Sequence, residues 1–452
     1  MAPRRSHRSP ASRALFAHRD AEESSPHSPR DFGMTSGSVA PEHRSAAGNR
    51  PGEGLDSSVA AEPAEEPLPV TGAWQPGDPV GRRQFLPTAT ERPFHLEGGG
   101  SLRDVTVAYE TWGELDAAAS NAVLVCHALT GDSHAAGRLG EGHPTPGWWG
   151  DLIGPGLAVD TDRYFVVCAN VLGGCQGSTG PASVDPGTGR PYGSRFPVVS
   201  IRDMVRAQGL LANHLGVRRW LTVLGGSMGG MQVLEWAVMY PHRVRSIIPI
   251  ATCTAASAQQ IAWSYMGRRA VHTDPNFCDG DYYDNPPGQG PHRGLAVARG
   301  IAQITYRSEG VFAERFGRNL LDPLDEFTLW QRFDVEGYLD YHGDKLVRRF
   351  DANTYLVLNK SMDLHDLGRG RGGVAKALRR IVVPTYVMSI NSDALYPNYQ
   401  QRELYAELLS SGTPTRYFEI DSPHGHDAFL LETQQVTPPI AEFLDDVHSS
   451  RI

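Results

Sequence analysis

The stretch "LTVLGGSMGGMQVLEWA", residues 221–237, sets one serine among four glycines between an apolar run and a helical pattern. Glycine weakens strands and helices, so such a cluster needs a local reason. Residues 225–229 match Gly-x-Ser-x-Gly; a strand-like run enters the motif and a helix-like run leaves it. This order predicts a sharp strand–turn–helix bend that presents the Ser227 hydroxyl as a nucleophile at the C-terminal edge of a sheet. The alternative is a glycine-rich turn in which Ser227 only caps the helix.

Short apolar runs and helical patterns alternate on both sides of this motif. The runs are rich in Val, Ile, Tyr and Phe, which is typical of buried strands. Strands alternating with helices predict an α/β fold, with a mostly parallel sheet covered by helices on both faces. The predicted strands cover residues 121–129, 163–173, 220–226, 244–253, 381–390 and 415–421, and the predicted helices cover 200–216, 228–241 and 401–412.

Composition divides the chain into three parts. Residues 1–73 contain no Ile, Tyr or Trp and are rich in Pro, Ser, Ala, Arg and Glu. Such a segment buries too little apolar surface to offset chain entropy, so we expect a disordered N-terminal tail. Residues 74–254 and 376–452 are expected to form the α/β core. Residues 255–375 are polar and poor in strand signals, which predicts a mainly helical lid inserted between two strands.

The bulk composition excludes several classes of partner and compartment. The 452-residue chain has a formal net charge of −9, which argues against a nucleic-acid partner. No apolar run is long enough to cross a membrane, and no apolar segment follows the basic N-terminus as in a signal peptide. The five cysteines are odd in number and lack C-x-x-C spacing. We therefore expect a cytoplasmic protein without a disulfide framework or zinc site.

A nucleophilic serine needs a base, and the base needs an orienting acid. In proteins with this kind of serine turn the chain order is Ser, acid, His. Asp393 and His426 each lie in the loop after a predicted strand, so the predicted triad is Ser227, Asp393 and His426. Asp393 could instead stabilise a local turn, and His424 is better interpreted as an exposed loop residue. The sequence "HGHD" at 424–427 has no further ligand cluster near it, so no metal site is predicted.

Two backbone N–H groups are expected to complete the site as an oxyanion hole. One belongs to Met228, which follows the nucleophile. The other is assigned to Leu129, in the loop 127–131 with which the apolar run at 121–129 ends. A Gly-x-Gly-x-x-Gly match at 368–373 follows no strand, so neither a dinucleotide site nor any permanently bound cofactor is expected.

Several longer motifs point to one family. Taken in order, they resemble homoserine O-acetyltransferases, which are acyltransferases of methionine biosynthesis with the α/β-hydrolase fold. The resemblance runs from about residue 75 to near the C-terminus and leaves out the tail. The motifs lie at 108–134, 142–156, 170–183, 193–205, 225–232, 294–308, 392–397 and 425–430.

The resemblance implies a ping-pong reaction in which Ser227 takes the acetyl group of acetyl-CoA, the co-substrate, and the hydroxyl of L-homoserine then receives it. It implies that Arg299 pairs with the substrate carboxylate and that Asp427 accepts from the substrate ammonium. It also implies that Tyr306 binds the substrate; Tyr306 lies seven residues after Arg299 and can share its helix face. The resemblance also implies a homodimer formed through the helical insertion, which roofs a tunnel to the serine.

Other activities stay open at this point. Related sequences use succinyl-CoA as donor or L-serine as acceptor, and an ester or thioester hydrolase would use the same triad. A succinyl carboxylate would need an added cation near the oxyanion hole, and the sequence alone does not locate one. A non-catalytic binding module would be expected to lack a triad residue, and here all three are present.

Overall fold

The computed structural model describes residues 67–89, 91–321 and 327–451. Most of the predicted tail therefore lies outside the described residues. Contacts made by residues 67–73 place the end of the tail earlier than the predicted boundary at residue 73. The Thr71 hydroxyl donates to Asp351 over 2.8 Å, and the Gly72 N–H donates to the Phe350 carbonyl over 3.2 Å. The packed chain thus begins before Trp74, because pairing with a segment far away in sequence gives these residues contacts that composition does not reveal.

Twelve short strands are present in the described residues. Eight of them form one sheet in the order β1-β4-β8-β5-β9-β10-β11-β12, and the pairs β2-β3 and β6-β7 form two small ladders. The strands are β1 (Gln84–Thr88), β2 (Phe94–His95), β3 (Ser101–Leu102), β4 (Val105–Trp112), β5 (Ala122–Cys126), β6 (Ile153–Gly154), β7 (Val159–Asp160), β8 (Phe165–Ala169), β9 (Thr222–Gly226), β10 (Ile247–Ile250), β11 (Thr385–Ile390) and β12 (Thr415–Ile420).

The large sheet is mostly parallel, which confirms the predicted fold class. Only β4 runs antiparallel to its neighbours, β1 and β8, and every later pair is parallel. All six predicted strands are present, each shorter than its apolar run. The sequence analysis missed β1 and β4. The apolar pattern of β4 is interrupted by Glu110, whose carboxylate is fully buried and accepts hydrogen bonds from neighbouring side chains.

Eleven α-helices surround and extend the sheet in the described residues. The three predicted helices correspond to α1, α2 and α9; α9 begins directly after Pro397, which suits a helix start because its φ is already fixed. The helices are α1 (Ile201–His214), α2 (Met228–Met239), α3 (Ala258–His272), α4 (His292–Tyr306), α5 (Glu309–Phe316), α6 (Asp334–Val347), α7 (Ala352–Asp363), α8 (Val374–Leu378), α9 (Asn398–Ser410), α10 (Ala428–Leu431) and α11 (Thr433–His448).

Both faces of the sheet carry an apolar core. In β5, Leu124 packs into one core and Val125 into the other, as the alternation of a strand requires. Trp236 of α2 lies in the first core, and Phe443 of α11 in the second. Because helices cover both faces, loops that bear polar side chains collect at the strand ends. None of the described helices combines the length and apolar character needed to cross a bilayer.

Helices α3 to α7 lie between β10 and β11 in the chain, within the predicted insertion. Helices α4 and α6 cross closely, because a Cβ on Gly343 would lie 2.9 Å from that of Ala296. The turn after α6 contacts a loop of the core, where Arg349 donates a hydrogen bond to Thr130.

Candidate active site

The serine turn has the geometry that its glycines suggest. Ser227 adopts φ 59° and ψ −125°, a left-handed conformation that is strained for a residue with a side chain. A Cβ on Gly229 would lie 2.1 Å from the Cys126 carbonyl oxygen, and one on Gly225 would lie 2.5 Å from it. Glycine is therefore required where the turn passes β5. The Ser227 N–H donates to the Ile250 carbonyl over 3.0 Å, which holds the turn against β10.

His426 and Asp393 meet at the same edge of the sheet. His426 Nδ1 donates to Asp393 Oδ2 over 2.7 Å, and both residues are buried. The other carboxylate oxygen accepts from the N–H groups of Leu395 and Tyr396 at 2.9 and 2.8 Å. This loop after β11 fixes the carboxylate, so the carboxylate can fix the tautomer and the orientation of the imidazole.

The electrostatics of His426 suit a general base. Burial alone would lower the pKa of its imidazole, but the Asp393 carboxylate outweighs burial and the pKa ends above the ordinary 6.5. Within the described part of the chain, His426 Nε2 has no hydrogen-bond partner. His426 and Ser227 line one cavity of about 180 Å³. The imidazole can therefore accept a proton from a hydroxyl on that side.

The N–H groups of Leu129 and Met228 are both free to act as oxyanion donors, since neither donates to another described residue. The loop of Leu129 is held by His127, whose Nδ1 lies 2.7 Å from the Ala128 carbonyl and whose Nε2 accepts from the Val171 N–H. Burial lowers the pKa of His127, which keeps it neutral for these two bonds.

Gln232 joins the loop of Leu129 to the start of α2. Its side-chain amide donates to the carbonyls of His127 and Met228 at 3.3 and 3.2 Å. Sequence reasoning missed His127 and Gln232 as supports, although both lie inside motifs that it quoted.

The three residues assigned to substrate by resemblance line the same cavity as Ser227. The Arg299 guanidinium carbon lies 5.3 Å from the centre of the Tyr306 ring. Asp427 Oδ2 lies 3.2 Å from Arg307 Nη2, so its charge is already partly balanced. The sequence analysis did not foresee the pair with Arg307, because no spacing rule connects the end of α4 with the turn after β12.

A second cation, Arg349, also lines this cavity and was missed. It follows α6, and its Nη1 donates to the Thr130 carbonyl over 2.8 Å. The sequence offers only two adjacent arginines before a phenylalanine, which does not distinguish a surface charge from a cavity residue.

A smaller, mainly apolar cavity of about 40 Å³ adjoins the first and shares Leu129 and Tyr306 with it. It lies between α3, α4 and α7 of the insertion. Its other lining residues include Trp263, Ile301, Tyr355 and Tyr396.

The remaining predicted motifs lie away from these cavities. The His424 side chain is 42% exposed, with Glu432 4.0 Å away, and does not line the Ser227 cavity. In the glycine-rich stretch 368–373, Arg371 forms an ion pair with buried Glu235 of α2 over 2.6 Å. This stretch therefore anchors the helix that follows the nucleophile.

One group of possible metal ligands occurs among the described residues: Glu110, His134 and His143. Hydrogen bonds within the protein already use most of the nitrogen and oxygen atoms of this group. Glu110 accepts from Ser133 and is 2.9 Å from His134 Nδ1, while His143 Nε2 accepts from the Arg82 N–H over 2.9 Å. That nitrogen lone pair is already used, so the arrangement is explained as a buried polar network.

Comparisons with known proteins agree with this geometry. The family model for the alpha/beta hydrolase fold matches residues 121–433. The chain is 56% identical over 378 residues to the homoserine O-acetyltransferase of Thermobifida fusca (strain YX), covering 84% of this chain and 98% of that protein. The solved homoserine O-acetyltransferase from Bacillus anthracis has a TM-score of 0.74 at 28% identity, covering 80% of this chain and 97% of that one.

Esterase E22 is similar to the same degree, with a TM-score of 0.74 at 28% identity over 80% of this chain and 99% of that one. Shape alone therefore does not separate transferase from hydrolase, but sequence identity does. The chain belongs to the homoserine O-acetyltransferase family, a family of acyltransferase enzymes built on the α/β-hydrolase fold.

Proposed function

We propose that this chain transfers the acetyl group of acetyl-CoA to the hydroxyl of L-homoserine, using Ser227, His426 and Asp393 in a ping-pong reaction. The observation that carries the proposal is the content of one cavity. Ser227 and His426 share it with Arg299 and Asp427, a cation and an anion that match the carboxylate and ammonium groups of an amino acid. The similarity to the homoserine O-acetyltransferase of Thermobifida fusca supports the same acceptor and acyl group.

In the first half-reaction the Ser227 oxygen attacks the thioester carbonyl while His426 Nε2 takes the hydroxyl proton. The negative charge on the carbonyl oxygen is received by the N–H groups of Leu129 and Met228. Each such donor is worth roughly 3 kcal/mol of transition-state stabilisation. The C–S bond then breaks, His426 returns the proton to the departing sulfur, and Ser227 keeps the acetyl group as an ester.

In the second half-reaction the hydroxyl of L-homoserine attacks this ester. His426 takes the hydroxyl proton, the oxyanion forms against the same two N–H groups, and the bond to Ser227 breaks as the proton passes to the Ser227 oxygen. The products are O-acetyl-L-homoserine and the free enzyme. Asp393 orients His426 in both halves and stabilises its charged form.

Water would compete with homoserine for the acetyl-serine, so a transferase needs an enclosed site. Ser227 is only 5% exposed, and helices of the insertion supply Arg299, Tyr306 and the lining of the apolar cavity next to it. These features support a lid over a tunnel that leads to the serine.

The second candidate function is an ester or thioester hydrolase, which the similarity to esterase E22 favours. A hydrolase would release CoA from acetyl-CoA at the same rate with and without homoserine. Within the transferase class, succinyl-CoA as donor and L-serine as acceptor are the alternatives. A comparison of kcat/KM for both donors with both acceptors separates them, and a higher value with succinyl-CoA would contradict an acetyl donor.

We further propose that the reaction serves methionine biosynthesis in the cytoplasm. The described cysteines form no disulfide, which agrees with a reducing compartment.

We also propose a homodimer joined through the insertion, because several large apolar side chains on its helices are exposed. The dimer predicts that Val297→Glu, on an exposed position of α4, shifts the sedimentation coefficient toward a monomer. The exposed apolar side chains are Ile261, Trp263, Tyr265, Met266, Val297, Ile304 and Tyr341.

Mass spectrometry after mixing the full chain with acetyl-CoA alone tests the proposed function. We expect the protein to gain the mass of one acetyl group, on the peptide that contains Ser227, and to lose it when L-homoserine is added. Ser227→Ala is the matched control and should gain nothing. A chain that never carries an acetyl group, or that loses it equally fast in water, would contradict the transferase mechanism.

A further inference from the structure

The cavity of Ser227 holds more positive charge than one amino-acid carboxylate partner explains. Two arginines line it, Arg299 from α4 and Arg349 from the turn after α6. In the described part of the chain neither guanidinium has a carboxylate within 4 Å, whereas Arg307 pairs with Asp427, an anion of the cavity wall. Arginine side chains that line a partly enclosed cavity without a carboxylate partner imply an anionic ligand.

Arg349 is placed by packing and not by chance exposure. Arg349 is half-buried, its carbonyl accepts from the Gln176 amide over 2.8 Å, and Gly72 approaches its backbone so closely that a Cβ there would lie 2.5 Å from the Arg349 nitrogen. Burial lowers the pKa of Arg349; the more distant Asp132 carboxylate raises it in part, and the charge of Arg299 lowers it again. A guanidinium stays protonated in proteins. Two like charges therefore face one small cavity, and an anion between them relieves their repulsion.

Arg349 also touches the loop that bears an oxyanion donor. Its Nη1 donates to the carbonyl of Thr130, the residue after Leu129. A guanidinium has five donors in a planar fork, so one bond to Thr130 leaves others for a ligand. A carboxylate bound by Arg349 would thus lie beside the loop that positions the acyl group.

We propose that Arg349 is a second carboxylate-binding residue of the acceptor site, holding the amino-acid carboxylate together with Arg299 while it braces Thr130. This inference rests on the proposed acetyl transfer to homoserine and adds a residue to it. It also gives Arg349, the cation near the oxyanion hole, a role that does not require succinyl-CoA as the donor. The carboxylate of the acceptor uses its charge.

The test compares acceptors with and without the carboxylate. L-homoserine and 3-amino-1-propanol differ only by that group. Arg349→Gln removes the charge, and its shorter amide also loses the bond that Nη1 donates to Thr130, a loss that both acceptors share. We expect kcat/KM for L-homoserine to fall roughly 10- to 100-fold, mainly through KM, as loss of a charge-assisted hydrogen bond predicts. The value for 3-amino-1-propanol, which has no carboxylate to lose, should fall only as far as acylation of Ser227 itself does.

Two readouts separate acceptor binding from support of the loop. The burst of p-nitrophenol from p-nitrophenyl acetate reports acylation of Ser227 without acceptor or CoA, so it measures what the lost bond to Thr130 costs; in Arg349→Gln it should fall less than kcat/KM for L-homoserine does. The matched control is Arg348→Gln, which removes the neighbouring exposed charge and should behave as the unmodified chain. Equal losses for the burst and for both acceptors would overturn the proposal, because Arg349 would then only support the loop. Unchanged use of L-homoserine would also overturn it.

Calorimetric titration of Ser227→Ala with L-homoserine supplies a readout without turnover. We expect binding that weakens by a similar factor in Ser227→Ala/Arg349→Gln. If the unmodified chain does not acetylate homoserine yet this binding difference persists, the proposed function fails and the carboxylate site stands. If L-homoserine binds equally to both proteins, or to neither, the role of Arg349 is refuted.

Discussion

His426 Nδ1 lies 2.7 Å from Asp393 Oδ2, inside the protein, while His426 Nε2 is left without a partner among the described residues and lines the cavity of Ser227. One nitrogen is therefore committed to orientation and the other is available for proton transfer. The loop after β11 holds the carboxylate and the turn after β12 holds the imidazole, so the pair depends on the parallel register of these two strands.

Asp393→Asn is expected to lower kcat by roughly 10⁴-fold, because an amide stabilises the wrong tautomer of His426. In the unmodified chain the neutral imidazole is the base, so kcat/KM for acetyl-CoA should be lost as the pH falls through a pKa above 6.5. Without the Asp393 charge, nothing of similar size opposes the effect of burial, which lowers the pKa of His426. The acidic limb of the pH–rate profile should therefore move to lower pH. The pH–rate profiles of both proteins measure this, and an unshifted limb would contradict the role of Asp393.

Asp427→Asn is expected to raise KM for L-homoserine roughly 10- to 100-fold, because the substrate ammonium loses a charged acceptor. The p-nitrophenyl acetate burst should change little. The acidic limb should move slightly down, since Asp427 also raises the pKa of His426. Arg307→Gln is the matched control: it removes the ion pair but keeps the carboxylate, so KM should not rise as it does in Asp427→Asn. An equal rise in both variants would show that the pair itself, and not Asp427, matters.

Gly229→Ala should destabilise the chain by about 3 kcal/mol or more, because the new Cβ would meet the Cys126 carbonyl oxygen at 2.1 Å and backbone cannot yield there. Gly209→Ala in α1 is the control. Its Cβ would have only ordinary contacts near 3.9 Å, so we expect a change between zero and about 1 kcal/mol of added stability. Urea unfolding monitored by circular dichroism measures both, and similar values for the two variants would refute the steric argument.

His365 should make the protein sensitive to acid. It is buried, its Nε2 lies 3.1 Å from the Cys253 carbonyl, and burial lowers its pKa to about 4. In the unfolded chain His365 binds a proton near pH 6.5, whereas in the folded chain it stays neutral until about pH 4. The free energy of unfolding is therefore undiminished above pH 6.5 and decreases as the pH falls toward 4. Between pH 7 and pH 5 this residue should remove roughly 2 kcal/mol of unfolding free energy.

His365→Gln is expected to reduce that fall by a similar amount, as measured by urea unfolding at both pH values. His214→Gln, at the exposed end of α1, is the control and should leave the fall unchanged. If the loss between pH 7 and pH 5 is the same in His365→Gln and in the unmodified chain, another group is responsible for it.

The sequence by itself was sufficient for the α/β fold and for predicting that Ser227, Asp393 and His426 lie at one edge of the sheet, because both depend on local order. Strand-like runs, the glycines around Ser227, and the positions of Asp393 and His426 just after strands can be counted along the chain. Parallel strands bring their C-terminal ends to one edge, so residues in those positions become neighbours whatever the detailed packing. The sequence did not predict β4, since buried Glu110 interrupts its apolar pattern.

The tertiary structure alone decided which charges face the cavity. Arg349 and Arg307 are ordinary arginines in sequence, yet the first lines the cavity of Ser227 and the second pairs with Asp427. Arg307 ends α4, Arg349 follows α6, and residues 67–73 pack against the turn that carries Arg349. Such contacts join residues far apart in the chain, and their energy depends on distance and burial, neither of which periodicity or composition records.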